Sequence, residues 1–339
     1  MIDYADIVCD MSWGDTGKGK ISSFLARENN YDFVARWAGG NNAGHTVFID
    51  NKKYKTHLIP SGVFHGVKSI IGPACVLNIE SFYQEIEYLK SHGFDTSLVK
   101  VSPRTHIVTN SHLEKDSAIY HKKLGTTAKG IAPCYSDKMA RVGVMAGSVL
   151  ESDYIWDEEL YGKVLCEGAQ GFYLDIDWGN YPYVTSSTTL PYGACSIGFS
   201  PFRIRNIWGT AKIYDTRSGV DPLFPDSLFE DKTLSLLGEM GEERGVTTGR
   251  RRHVNWLRLD YLINAIQKSG ANKIVINKCD ILEELGSRKE LNLEAYKLIQ
   301  HDTLLSFDNL RAMKVYIEKE IKRETEAESV HFSYSKEDL

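Results

Sequence analysis

The stretch Trp13-Gly14-Asp15-Thr16-Gly17-Lys18-Gly19-Lys20 constrains this chain more than any other. An apolar run, Ile7-Val8-Cys9, precedes it, and Ile21-Ser22-Ser23-Phe24-Leu25 after it reads as the start of a helix. A strand, a glycine-rich turn and a helix N-terminus together make a phosphate cradle, with backbone N–H groups converging and Lys18 or Lys20 supplying charge. The stretch is not a Walker A loop, because Gly19 stands where Ser or Thr must follow the Gly-Lys pair. Asp15 is the odd member. A carboxylate in an anion site is repelled unless it holds a cation or handles a proton. The competing reading is a tight turn with solvated charges.

The rest of the chain alternates in the same way. Tyr31–Trp37 reads as a strand running into the amide-rich loop Gly39-Gly40-Asn41-Asn42-Ala43-Gly44-His45-Thr46. Residues 68–78 are apolar, and Phe82, Ile86 and Leu89 have helical spacing between Ile79 and His92. Val164-Leu165-Cys166 leads into Glu167-Gly168-Ala169-Gln170-Gly171, and residues 204–215 read as a strand ending at Thr216-Arg217-Ser218-Gly219. Leu257–Lys268 reads as a helix, Lys273–Ile276 as a strand, and Leu304 to about Arg323 as an amphipathic helix. This alternation predicts an α/β fold with a mainly parallel central sheet flanked by helices. With 339 residues and no evident linker, the expectation is one domain over 1–339 with surface insertions at about 93–160 and 221–244.

Composition narrows the function. A net charge of −5 gives no general attraction to nucleic acid or membrane, so any phosphate binding must be local. No apolar run approaches the ~20 residues of a membrane span. Met1–Asp6 carries no basic or apolar leader, and the six cysteines form no Cys-x-x-Cys pair. Buried thiols and a cytoplasmic setting are expected.

Other constellations carry chemistry. Asn277-Lys278-Cys279-Asp280 has the spacing of a guanine-reading element, in which Asp accepts from N1–H and the 2-amino group while the Lys stem covers the ring; a polar turn is the alternative. Arg250-Arg251-Arg252 after Thr247-Thr248-Gly249 suits carboxylate or phosphate capture, although three adjacent arginines cannot all face one site. His45 could donate to a transferring phosphoryl group or bond locally, and Gln170 could position a ligand edge or merely turn the chain. Together these residues describe an enzyme that binds a nucleoside triphosphate and a second anion, in a phosphoryl-transfer or ligase pattern.

In order along the chain, these blocks resemble the adenylosuccinate synthetase family, ligases that join L-aspartate to C6 of a 6-oxopurine nucleotide with GTP hydrolysis. The matching blocks are 13–20, 39–46, Gly125–Pro133 with Asp137–Arg141, 167–187, and 246–252. The resemblance implies a P-loop-like GTP-binding ligase fold. It implies that Asp15 removes the N1 proton and, with the Gly44 carbonyl, ligates Mg²⁺, while His45 stabilises the phosphoryl group in flight. Lys18 would contact the triphosphate beside Gly14, Gly17, Gly19 and Lys20. Asn42, Thr127, Gln170, Thr185 and Arg250 would hold the purine nucleotide, whose 5′-phosphate would meet Arg141 from the partner subunit of a homodimer. Thr247, Thr248, Arg250 and Arg252 would bind aspartate, and Lys278 and Asp280 would read guanine.

Departures from the family pattern bear on substrate choice. Thr16 replaces the usual Glu, Ser12 the usual Gln, and Ser218 an apolar residue, and Ser333-Tyr334-Ser335-Lys336 stands in place of the C-terminal guanine loop. A related phage branch acts on dGMP for 2-aminoadenine genomes, and Thr16 resembles that branch, where the catalytic Asp is often replaced. Two acceptors therefore stand open: IMP, favoured by Asp15 and the intact arginine loop, and (d)GMP, admitted if Thr16 frees space beside the purine. ATP as donor and a non-catalytic GTP-binding regulator are the further alternatives.

Overall fold

A computed structural model describes residues 1–245, 249–291, 293–337 and 339. Its centre is β1 (Ile2–Asp10), an apolar strand covered on both faces. Side chains alternate across it: Ile7 and Cys9 enter the main core, while Val8 packs with Ile21 and Leu25 of α1 (Lys18–Glu28). Seven further strands complete an eight-stranded sheet. They are β2 (Phe33–Arg36), β3 (Lys68–Ile71), β4 (Val99–Val101), β5 (Gly162–Glu167), β6 (Ile204–Lys212), β7 (Lys273–Asn277) and β8 (Ser329–Phe332). The spatial order is β8-β7-β6-β1-β5-β2-β3-β4, and every pairing is parallel.

The order places the site. From β1 the chain crosses through α1 to β2, on the β5 side, whereas β6 lies on the other flank of β1. The direction of winding reverses at β1, and a crevice opens there beyond the carboxyl ends of the strands. Asp10, Arg36, Glu167, Lys212 and Asn277 are the last residues of their strands and stand together at this edge of the sheet. After β6 the chain bends almost at once into Tyr214–Arg217, which pairs antiparallel with His253–Arg258 in a second, four-stranded sheet. That pairing brings Ser218 and Arg252 side by side above β6.

Several expectations need correction. His253–Arg258 is a strand, and the helix α5 starts only at Leu259, running to Ser269. Thr303–Ser306 is likewise a strand. The helix after it, α7 (Leu310–Glu324), begins where the Asn309 side chain accepts from Ala312 N at 2.9 Å. The 93–160 segment contributes β4 to the central sheet as well as helix α3 (Ile131–Ala140). Within 221–244, α4 (Lys232–Met240) buries Leu234 and Leu237 in the main core. Charge and proline had disguised an amphipathic helix as a surface excursion. The helix α6 (Cys279–Ser287) follows β7.

Candidate active site

Asp10, at the end of β1, organises the phosphate loop. Its carboxylate accepts from Ser12 N at 2.8 Å, Gly14 N at 3.3 Å and Thr16 N at 3.2 Å, and from Lys18 Nζ at 3.1 Å. Lys18 is thereby fixed under the loop rather than left to sample solvent. Gly17, with φ +98°, turns the chain into α1 where a β-carbon would press Asn277 Nδ2 at 3.0 Å. Asn277 ties the loop to β7 through Nδ2 and Thr16 O at 2.7 Å.

Two clefts open over this loop. Asp15, Lys18, Gly44 and His45 line both, so a group bound in one cleft meets a group bound in the other at these residues. Asn42, Thr127, Gln170, Thr185 and Arg250 line the first cleft. Gly17, Gly19, Lys20, Arg252, Lys278 and Asp280 line the second. Gln170 sits in the left-handed region at φ 55°, and neither atom of its buried amide has a hydrogen-bond partner among the described residues. Such groups await a ligand or ordered water.

His45 opens the strand His45–Ile49 and is 4 % exposed. Its Nδ1 abuts Glu167 Oε1, while Glu167 Oε2 accepts from Ser61 N at 3.0 Å and Ser61 Oγ at 2.6 Å. Burial would raise the Glu167 carboxyl, but His45 and the Ser61 donors outweigh it and hold it at about 2. Burial pushes the His45 imidazole below its ordinary value, with Arg36 and Lys18 adding to the effect and Glu167 opposing it. Nε2 has no partner.

A second buried cluster surrounds Arg252. Its guanidinium donates through Nη1 to Glu243 Oε2 at 2.6 Å and through Nε to Ser218 Oγ at 3.1 Å, and pairs through Nη2 with Asp15 Oδ2 at 2.9 Å. Burial works to raise the Asp15 carboxyl, yet Arg252, Lys212 and Lys18 hold it below its ordinary value. Lys212 Nζ donates to both Glu243 oxygens at 2.8 and 2.9 Å, and burial lowers it to about 8. Glu243 is held at about 2 by Lys212 and Arg252 against the effect of its own burial.

Comparison with known proteins agrees with this arrangement. The family model for adenylosuccinate synthetase matches residues 7–161 and 154–303. The adenylosuccinate synthetase of Lysinibacillus sphaericus is 36% identical over 86% of this chain and 80% of its own length. That of Brevibacillus brevis is 36% identical over 81% of this chain and 77% of its own. This chain belongs to the adenylosuccinate synthetase family. It is therefore a GTP-dependent C–N ligase by kinship. The fully ligated Plasmodium falciparum adenylosuccinate synthetase superposes with a TM-score of 0.74 at 28% identity, covering 95% of this chain and 86% of that one. Cyanophage S-2L succinoaminodeoxyadenylate synthetase, bound to dGMP and dATP, superposes at 0.68 over 95% of this chain and 100% of that one. At 18% identity that likeness is one of fold.

Within this synthetase the departures from the family pattern acquire positions. Thr16 does not line the first cleft but stands at the second. Its Oγ1 bonds Asp10 Oδ2 at 2.5 Å and Thr210 Oγ1 at 2.6 Å, and the residue is 2 % exposed. A short hydroxyl between a carboxylate and a second hydroxyl turns inward. Ser218 lines the first cleft but bonds Arg252, with its Oγ 3.5 Å from Asp15 Oδ2. Lys20 Nζ donates to Ser333 Oγ at 2.6 Å and Ser335 O at 2.9 Å, which holds the C-terminal segment against the second cleft.

The arginine loop divides its labour. Arg250 Nη1 donates to Gly125 O at 3.1 Å across the first cleft, whereas Arg251 turns outward to Ser235 and the Phe229 ring. Thr247 and Thr248 lie outside the described residues. Arg141 is exposed at the end of α3 and lines neither cleft of its own chain. Lys278 Nζ donates to Gly241 O at 2.8 Å, and Asp280 stands in the first turn of α6. Sequence reasoning assigned no role to Asp10, Glu167, Lys212 or Glu243. The one available signal was position: three of them end an apolar strand.

Proposed function

We propose that this ligase joins L-aspartate to C6 of IMP through a 6-phosphoryl intermediate, with GTP as donor. The observation that carries the reading is the seam: Asp15, Lys18, Gly44 and His45 line both clefts, so a purine in the first and a triphosphate in the second meet there. Asp15 takes the proton from purine N1, and the electron pair moves to O6. O6 attacks the γ-phosphorus as the bond to the β-phosphate oxygen breaks, and GDP leaves. His45 and Lys18 meet the charge on the transferring group. The amino group of aspartate then attacks C6, the C6–O6 bond breaks, and phosphate departs with O6 and takes up the proton that the amine loses. The Asp15 carboxylate and the Gly44 carbonyl are hard oxygen donors that suit Mg²⁺, which takes few protein ligands beside phosphates and would neutralise phosphate charge here.

Substrate choice follows from the same residues. The case for (d)GMP rests on Thr16 and Ser218, and both hydroxyls are engaged within the chain, Thr16 by Asp10 and Thr210 and Ser218 by Arg252, so neither favours dGMP over IMP. Asp280 at the second cleft favours guanine in the donor, since adenine offers neither an N1–H nor a 2-amino group to a carboxylate. Arg252 beside Asp15 would receive a carboxylate of aspartate. Arg141, exposed and lining neither cleft, would serve the partner subunit of a homodimer. Asp15→Ala should cut aspartate-dependent turnover by about 10³-fold or more while GTP affinity stays within a few-fold, read by kinetics and calorimetry. Retained turnover would remove Asp15 as the base.

A further inference from the structure

We propose that Glu243 is a positioning residue of the aspartate site, acting through Arg252. The inference rests on the ligase reading and extends it to a residue that touches no substrate. Arg252 has three faces to satisfy, and Glu243 holds the one turned away from the clefts, through Nη1 at 2.6 Å. With that edge held, Nη2 and Nε point toward Asp15 and Ser218 at the clefts. Glu243 is itself immobilised. Its side chain is 1% exposed and accepts from Lys212 Nζ at 2.8 and 2.9 Å and from Tyr214 Oη at 2.9 Å. Each of these partners comes from a different place: Lys212 ends β6, Tyr214 opens the second sheet, and Glu243 follows α4.

The geometry also explains why a carboxylate is needed at this point. A guanidinium fork reaching a dicarboxylate must be held in one plane, or its rotamer entropy is lost again on every binding event. Arg252 is otherwise a long side chain between two carboxylates, Asp15 and Glu243. An incoming substrate carboxylate can displace the Asp15 contact while the Glu243 contact keeps the fork in place. The buried carboxylate thus keeps the fork in place while capture of aspartate releases Asp15.

The test compares Glu243→Gln with the wild-type enzyme under full kinetics. The aspartate KM should rise by about tenfold or more, with the KM values for GTP and IMP within about twofold. In an Arg252→Ala background the same substitution should change the aspartate KM by less than twofold, because its route is gone. A wild-type aspartate KM in Glu243→Gln, or equal effects in both backgrounds, overturns the inference while leaving the ligase reading intact. Wild-type protein with no aspartate-dependent turnover overturns both. If Glu243→Gln does not fold, Glu243→Asp keeps a charge beside Lys212 but withdraws it from Arg252. The same rise in aspartate KM is expected there, and an unchanged KM overturns the proposal.

Discussion

Asp10 shows how much of this site depends on a residue that touches no ligand. One carboxylate collects the backbone of the phosphate loop and the ammonium of Lys18. Asp10→Asn keeps the size but exchanges an acceptor for a donor that faces N–H groups. The expected result is at least a tenfold weaker affinity for GTP, read by calorimetry, with a fall in stability of about 2–4 kcal/mol read by denaturant unfolding. Thr16 provides a second test at this scale. Thr16→Val removes the hydroxyl shared by Asp10 and Thr210. It should cost about 1–3 kcal/mol of stability yet leave the ratio of IMP to dGMP turnover unchanged. A changed ratio would return Thr16 to the purine pocket. The sequence showed the types of residue in these motifs but not their partners. Nothing in Thr16 itself says that its hydroxyl turns inward, since Asp10 and Thr210 reach it only through the sheet.

The elements around β1 were legible because each follows a local rule. The run Ile7-Val8-Cys9 before a glycine loop and the capped apolar stripe of α2 (Ile79–Ser91) reflect short-range periodicity. The elements that were misread are the ones decided by tertiary contacts. Leu257 and Arg258 pair with Leu298 and Ile299 in the second sheet and so end a strand rather than begin a helix, and the acidic, proline-bearing 221–244 segment hides the leucines of α4 until they meet the core. The element that follows β5 yields a sharp prediction. A β-carbon on Gly171 would lie 2.4 Å from Gly14 N, 2.5 Å from Ser12 O and 2.6 Å from Asp10 Oδ1. Gly171→Ala must therefore push the phosphate loop aside. Catalytic efficiency should fall by at least tenfold and stability by about 1–3 kcal/mol, measured by kinetics and thermal unfolding. Unchanged kinetics would mean that the two loops do not meet in this way.

At the scale of the whole molecule, the buried charges set how stability follows pH. Burial raises Asp215 to about 7, against the opposing Arg258 guanidinium and backbone N–H. The folded chain therefore keeps a proton on Asp215 that the unfolded chain releases near pH ~3.9. The folded state binds the extra proton, so stability falls as pH rises through the interval from about 4 to 7, at up to ~1.4 kcal/mol per pH unit. Asp215→Asn should remove that slope, raising the melting temperature relative to wild type more at pH 7 than at pH 5. An equal difference at both values would contradict the assignment. Glu167 and Glu243, both held at about 2, act in the opposite sense. Their contribution is present above the ordinary carboxylate range and is lost as pH falls from about 4 to 2.

The central claim is that the two clefts bring a 6-oxopurine, a guanine nucleotide and aspartate to one seam. Its most direct test is a spectrophotometric assay of the purified chain with Mg²⁺, L-aspartate and GTP, in which IMP, GMP or dGMP is the acceptor. Turnover with IMP that requires both aspartate and GTP is the predicted result. Turnover with dGMP and none with IMP, or consumption of GTP without aspartate, would contradict it.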